Sequence, residues 1–117
     1  MSRVLLVDDD PAGLDLRKLI LERHGHDVTT ACDINQARST FMSAAPECVV
    51  MDLRLPEAED GLALIREFRA ASPGVRIVVL SGWSADLDGQ PEAALVDEVL
   101  TKPVRSELLL RAIGALT

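Results

Sequence analysis

Aromatic residues are scarce in this chain of 117 residues, which has no tyrosine, two phenylalanines and Trp83 as its one tryptophan. Twelve Lys and Arg face nineteen Asp and Glu, a formal charge of -7, so there is neither a basic stripe nor an aromatic set on which bases could stack. A surface of that sign repels nucleic acid at long range, and direct DNA or RNA binding by this segment is not expected. Long apolar runs are missing too. None approaches the roughly 20 residues of a membrane helix, and Val4 to Val7 behind Arg3 is too short for the core of a signal peptide. Cysteine is confined to Cys32 and Cys48, both in predicted strand regions among apolar neighbours. They read as small buried hydrophobes of a reduced, cytoplasmic protein. His24 and His26 stand two residues apart at a predicted helix end without other likely ligands, which leaves no zinc-type cluster.

What is present has the balance of one globular domain over residues 1–117, with 48% hydrophobic and 26% charged residues interleaved throughout. Val4-Leu5-Leu6-Val7 is a short β-branched run stopped by Asp8-Asp9-Asp10, as expected of a strand buried on both faces and followed by a polar loop. Pro11 opens a helix that carries Leu14 and Leu21 and closes at Gly25. A shorter, more polar strand around Asp27 to Thr30 suits a sheet edge. Asp33 with Gln36 has the spacing of a capping box for a helix that buries Ala37 and Phe41.

Cys48 to Met51 is the next apolar run, ending at Asp52. A loop from Pro56 to Gly61 precedes a third helix with Leu62, Ile65 and Phe68 at helical spacing, and Ser72-Pro73-Gly74 stops it. Ile77 to Leu80 is a further buried strand, ending at Ser81-Gly82. The weakly patterned stretch from Ser84 to Leu95 is read as a long loop with a short helix. Val99-Leu100 belongs to a last strand, and the closing helix carries Leu108, Leu109, Ala112, Ile113 and Leu116. Strand followed by helix, five times, predicts an α/β fold with a doubly wound parallel sheet. Ligands of such sheets sit beyond the carboxyl ends of the strands.

Asp8, Asp9, Asp52, Ser81 and Lys102 all fall at that edge. Each has a plain explanation by itself: an aspartate after a strand as a helix cap, Lys102 as a solvated lysine, Ser81-Gly82 as a turn. Their coincidence favours a site. Converging carboxylates repel one another unless a cation neutralises them, and two or three carboxylates with room for water suit Mg2+. Pro103 biases Lys102 toward an extended backbone along the sheet edge.

With these residues in place, the chain resembles, over essentially its whole length, the receiver domain of two-component response regulators. The resemblance rests on Val7-Asp8-Asp9, Asp52-Leu53-Arg54-Leu55-Pro56, Val79-Leu80-Ser81-Gly82 and Thr101-Lys102-Pro103-Val104, in that order and spacing. It implies a flavodoxin-like (βα)5 fold with strand order 2-1-3-4-5. It also implies that Asp52 is the phosphoacceptor, taking a phosphoryl group from a phosphohistidine of a sensor histidine kinase or phosphotransfer domain. Asp8, Asp9, Asp52 and the backbone carbonyl of Arg54 would hold Mg2+, Lys102 would pair with Asp52 and then with the phosphoryl oxygens, and Ser81 would move to hydrogen-bond the acyl phosphate. The resulting switch catalyses its own phosphorylation and dephosphorylation.

Two features depart from the family pattern. Val99 stands three residues before Lys102, where an aromatic ring that turns inward on activation is usual. Glu57, Ala58, Glu59 and Asp60 separate Pro56 from Gly61, one residue more than is typical. Arg54 and Trp83 occupy positions that flank the phosphoryl group in receivers, although Trp83 reads equally as a half-exposed packing residue.

Rival functions are a degenerate receiver serving only for docking or dimerisation, and a small aspartyl-nucleophile hydrolase. The hydrolase needs a second acid two residues beyond the nucleophile, where Arg54 stands. A nucleotide or flavin fold needs a glycine- or hydroxyl-rich cradle where this chain has three acids. The family reading further implies an effector domain beyond Thr117 or a downstream protein partner, and allows a homodimer through the last strand and its flanking helices.

Overall fold

The computed structural model describes residues 2–114, with the side chain of Ser84 excepted; the predicted contribution of Leu116 to the last helix lies outside them. The elements run β1 (Arg3–Val7), α1 (Pro11–Arg23), β2 (Asp27–Ala31), α2 (Ile34–Ala44), β3 (Cys48–Asp52), α3 (Ala58–Ala71), β4 (Arg76–Ser81), β5 (Glu98–Thr101) and α4 (Ser106–Gly114). All five strands are parallel, in the order β2-β1-β3-β4-β5. The α/β doubly wound fold and its strand order are as expected.

Uninterrupted apolar strands are explained by cover on both faces. Leu5, Val7, Val49, Met51, Ile77 and Val79 point to one side, where they meet Phe41 of α2 and Leu64, Ile65 and Phe68 of α3. Their neighbours Val4, Leu6, Val50, Val78 and Leu80 point to the other, against Leu14 and Leu21 of α1 and Leu109 and Ile113 of α4. Alternation along each strand thus feeds two separate cores.

The number of α-helices differs from the five-fold repeat. Between β4 and β5 the chain makes only two 3-10 turns, Ser84–Asp86 and Pro91–Leu95. Gly89, at φ +75°, and Pro91 interrupt any helical run there. The segment is instead fastened by arginines of α3: Arg66 pairs with the buried Glu92, and Arg69 donates to the Leu95 carbonyl at 2.8 and 3.2 Å and to Asp97 at 2.9 Å. Such short turns cover less of the sheet than a helix would. Val99, which pairs in register with Val79, is left 43% exposed.

Three local expectations are corrected. Helix α3 starts at Ala58 rather than after Gly61, because the Asp60 carboxylate accepts the Glu57 N–H at 3.0 Å and caps the first turn. Asp33 caps α2 by accepting from the Gln36 N–H at 2.7 Å, but the return bond runs from the Cys32 N–H to Gln36 Oε1 at 2.8 Å, one residue before the cap. Cys32 is therefore exposed beyond the end of β2, whereas Cys48 is buried, and burial pushes its thiol pKa up to about 12. Among the described residues no helix is long and apolar enough to cross a membrane.

Candidate functional site

Asp8 and Asp9 follow β1, Asp52 ends β3, Ser81 ends β4 and Lys102 follows β5, so the order of the sheet gathers them at one edge. One carboxylate oxygen from each of Asp8, Asp9 and Asp52 lies within 4.8 Å of the others. Lys102 Nζ donates to Asp52 Oδ2 at 2.6 Å and stands 3.8 Å from Asp8 Oδ2. The expected acids and cation are brought together.

Electrostatics separate the acids. Burial works against ionisation of Asp8, but the Asp10 N–H at 3.0 Å, the Arg17 guanidinium at 2.8 Å and Lys102 outweigh it and hold Asp8 below the usual aspartate value. Asp9 moves the other way, raised by partial burial and by the negative charges of Asp8 and Asp52. This crowding fits a divalent cation: three carboxylates converge with more negative charge than Lys102 and Arg17 together balance. Asp10 stays out of the cluster and caps α1, accepting from the Ala12 N–H at 3.2 Å.

Ser81 is buried and committed to its own turn. Its hydroxyl donates to the Trp83 carbonyl at 2.8 Å and accepts from the Trp83 N–H at 3.1 Å. The Arg54 N–H reaches Asp52 Oδ1 at 3.4 Å, while its guanidinium leaves the acids and grips Asp86. Trp83 is 64% exposed, with the Arg54 guanidinium carbon 5.5 Å from its ring centre, so it packs on that cation at the rim of the site.

Three participants were not anticipated from sequence. A Cβ at Gly61 would come within 2.3 Å of the Leu53 carbonyl oxygen, and the Gly61 N–H donates to that oxygen at 3.0 Å. Only glycine lets α3 clamp the turn that carries Asp52. Asp86 lies in the weakly patterned segment and offered no signal. Arg17 did offer one: it is a cation in the stripe between Leu14 and Leu21, where the helical period calls for an apolar residue.

The family model described as "Response regulator receiver domain" matches residues 4–114. Among similar proteins, the virulence transcriptional regulatory protein PhoP of Salmonella typhimurium is 33% identical over 99% of this chain and 52% of its own length. The transcriptional regulatory protein TrcR of Mycobacterium tuberculosis is 34% identical over 97% of this chain and 44% of its own. The chain therefore spans about half the length of these relatives. Among solved structures, the response regulator TrrA of Thermotoga maritima, in complex with Mg2+ and BeF, superposes with a TM-score of 0.88 at 26% identity over the whole of both chains. A response regulator receiver domain protein of Clostridium thermocellum has the same TM-score at 27% identity, over 99% of this chain and 94% of its own.

Proposed function

The chain belongs to the response regulator receiver domain family, and on that premise we propose that Asp52 accepts a phosphoryl group from a phosphohistidine of a sensor kinase or phosphotransfer domain. An Asp52 carboxylate oxygen forms the new bond to phosphorus while the phosphorus–nitrogen bond breaks, its electron pair returning to the imidazole. The observation that carries this reading is the 2.6 Å contact between Lys102 Nζ and Asp52 Oδ2 beside two further carboxylates.

A carboxylate approaches an anionic phosphoryl group only where positive charge offsets the repulsion. Lys102 supplies part of it and holds Asp52 in place. Asp8, Asp9, Asp52 and the Arg54 backbone carbonyl would hold Mg2+, which supplies further charge neutralisation when bound. Ser81 would have to release its hydrogen bond to the Trp83 carbonyl in order to donate to the new phosphoryl oxygens. Residues 1–117 would act as the cytoplasmic receiver unit of a signalling protein, whose state is read by an effector domain or a separate protein.

Incubation of the protein with acetyl phosphate and Mg2+ tests the proposal by mass spectrometry. One phosphoryl group should be added, and none to Asp52→Asn. An unlabelled wild-type protein would leave a docking module as the function of this chain.

A further inference from the structure

Arg17 is a charged side chain beside the site whose presence the proposed phosphotransfer does not require. It stands on α1 between Leu14 and Leu21, on the helix face turned toward the sheet, and its side chain is 22% exposed. Its Nη1 donates to Asp8 Oδ2 at 2.8 Å, and Asp8 Oδ1 accepts from the Asp10 N–H at 3.0 Å. Both oxygens of the most buried acid in the cluster are thereby engaged by the protein itself.

Local sequence makes room for that contact. Gly13 sits one helical turn before Arg17, and a Cβ there would lie 3.1 Å from Asp10 Oδ2 and 3.5 Å from Arg17 Nη1. A Cβ at position 13 would press on the Asp10 carboxylate beside that contact and would meet the guanidinium only at ordinary van der Waals distance. Arg17 also lines, with Lys102 and Pro103, an open groove of about 570 Å³ between α1 and α4, which gives the released side chain somewhere to go.

We infer that Arg17 is a positioning residue that competes with the divalent cation for Asp8, so that cation binding and release of Arg17 from Asp8 are coupled. This rests on the reading of Asp8, Asp9 and Asp52 as the cation site. The guanidinium is a fixed charge on a stiff fork and stays protonated at any working pH, so the competition is set by cation concentration. Partly exposed ion pairs are modest, so removing Arg17 should tighten Mg2+ binding by roughly two- to fivefold. The chain would then respond to Mg2+ over a higher range than its three carboxylates would set alone.

The test is an Mg2+ titration followed by the amide resonances of residues 8–10 and 52–54 in the wild type, Arg17→Leu, Arg17→Lys and Asp9→Asn. Arg17→Leu should bind more tightly than the wild type, Arg17→Lys should fall between them, and Asp9→Asn should lose the response. In the wild-type protein, saturating Mg2+ should also shift the Arg17 side-chain Nε–H resonance, a readout that needs no variant. Equal affinities in the wild type and Arg17→Leu, with an unmoved Arg17 resonance, would overturn the inference. Absence of any Mg2+ response sensitive to Asp9→Asn would instead overturn the cation-site reading on which it stands.

Discussion

Arg54 donates two parallel hydrogen bonds to Asp86, at 2.8 and 3.1 Å, and so ties the loop leaving β3 to the turn leaving β4 in front of Asp52. The same guanidinium lies over the Trp83 ring. Through its hydrogen bond to Arg54, the Asp86 carboxyl is held below the ordinary aspartate pKa. A depressed carboxyl pKa means that the tie is complete above the unfolded value and is lost as pH falls through the folded one. Trp83 emission should therefore stay constant across neutral pH and change only on strong acidification. Asp86→Asn should show the acid-form emission already at pH 7, with the melting temperature nearly unchanged because the pair is at the surface. Identical spectra for the variant and the wild type would show that Arg54 keeps its place on Trp83 without Asp86.

Lys102 carries a sharper expectation. It contacts Asp52 at 2.6 Å and also approaches Asp8, so Lys102→Met removes the cation shared by two of the three acids. Labelling by acetyl phosphate at saturating Mg2+ should slow by roughly 100-fold, the scale on which loss of one preorganised donor acts. The measurement is the rate of mass gain under matched Mg2+ occupancy. A rate within a few-fold of the wild type would remove Lys102 from the transfer step.

Asp9 sets a pH dependence of the opposite sign to Asp86. Its pKa is raised by partial burial and by Asp8 and Asp52, so the folded protein holds the Asp9 proton more tightly than the unfolded chain does. Without divalent cation, stability is then lost as pH rises from the unfolded to the folded value, and the penalty persists at neutral pH. Asp9→Asn should relieve it, raising metal-free stability at pH 7 by less than about 1 kcal/mol, since Asp9 is exposed and its charge is screened. Thermal melts in chelator against Mg2+ check this: the variant should gain in chelator and lose the stabilisation that Mg2+ gives the wild type.

Reading the sequence worked where one physical rule governed a segment. Apolar runs buried on both faces identify β1, β3 and β4 and hence the edge that holds Asp8, Asp9, Asp52 and Ser81. Strand order needed the family resemblance, because hydrophobic periodicity is the same for any permutation of buried strands. Contacts between distant segments were out of reach. Asp86 meets Arg54 across thirty-two positions, and Gly61 looked like part of a loop until the approach of Leu53 showed why no side chain fits there. Cys32 was misplaced inward because the period of β2 ends at Ala31. The short helix expected between β4 and β5 is there only as the 3-10 turn Pro91–Leu95, no α-helix completing the fifth strand–helix repeat, and the arginines of α3 that hold the segment in its place are invisible to local pattern.

That missing helix bears on how the site is read out. If Asp52 is phosphorylated as proposed, Ser81 would have to give up its bonds to Trp83 to reach the phosphoryl group, and its movement would be felt first in residues 81–84. Coupling onward through β5 would fall to Val99, which pairs with Val79 but is 43% exposed and carries no ring to swing into the space Ser81 leaves. A β-branched side chain is stiff about its first torsion and has little reach. Amide chemical shifts with and without a phosphoryl mimic such as beryllofluoride should therefore change strongly at residues 81–84 and weakly across 95–105. Val99→Phe should enlarge the second set, since a ring restores a side chain long enough to follow the hydroxyl. Changes of equal size in both regions of the wild-type protein would show that β5 responds without an aromatic residue, through its backbone pairing to β4, where the Lys102 N–H donates to the Ser81 carbonyl at 2.9 Å.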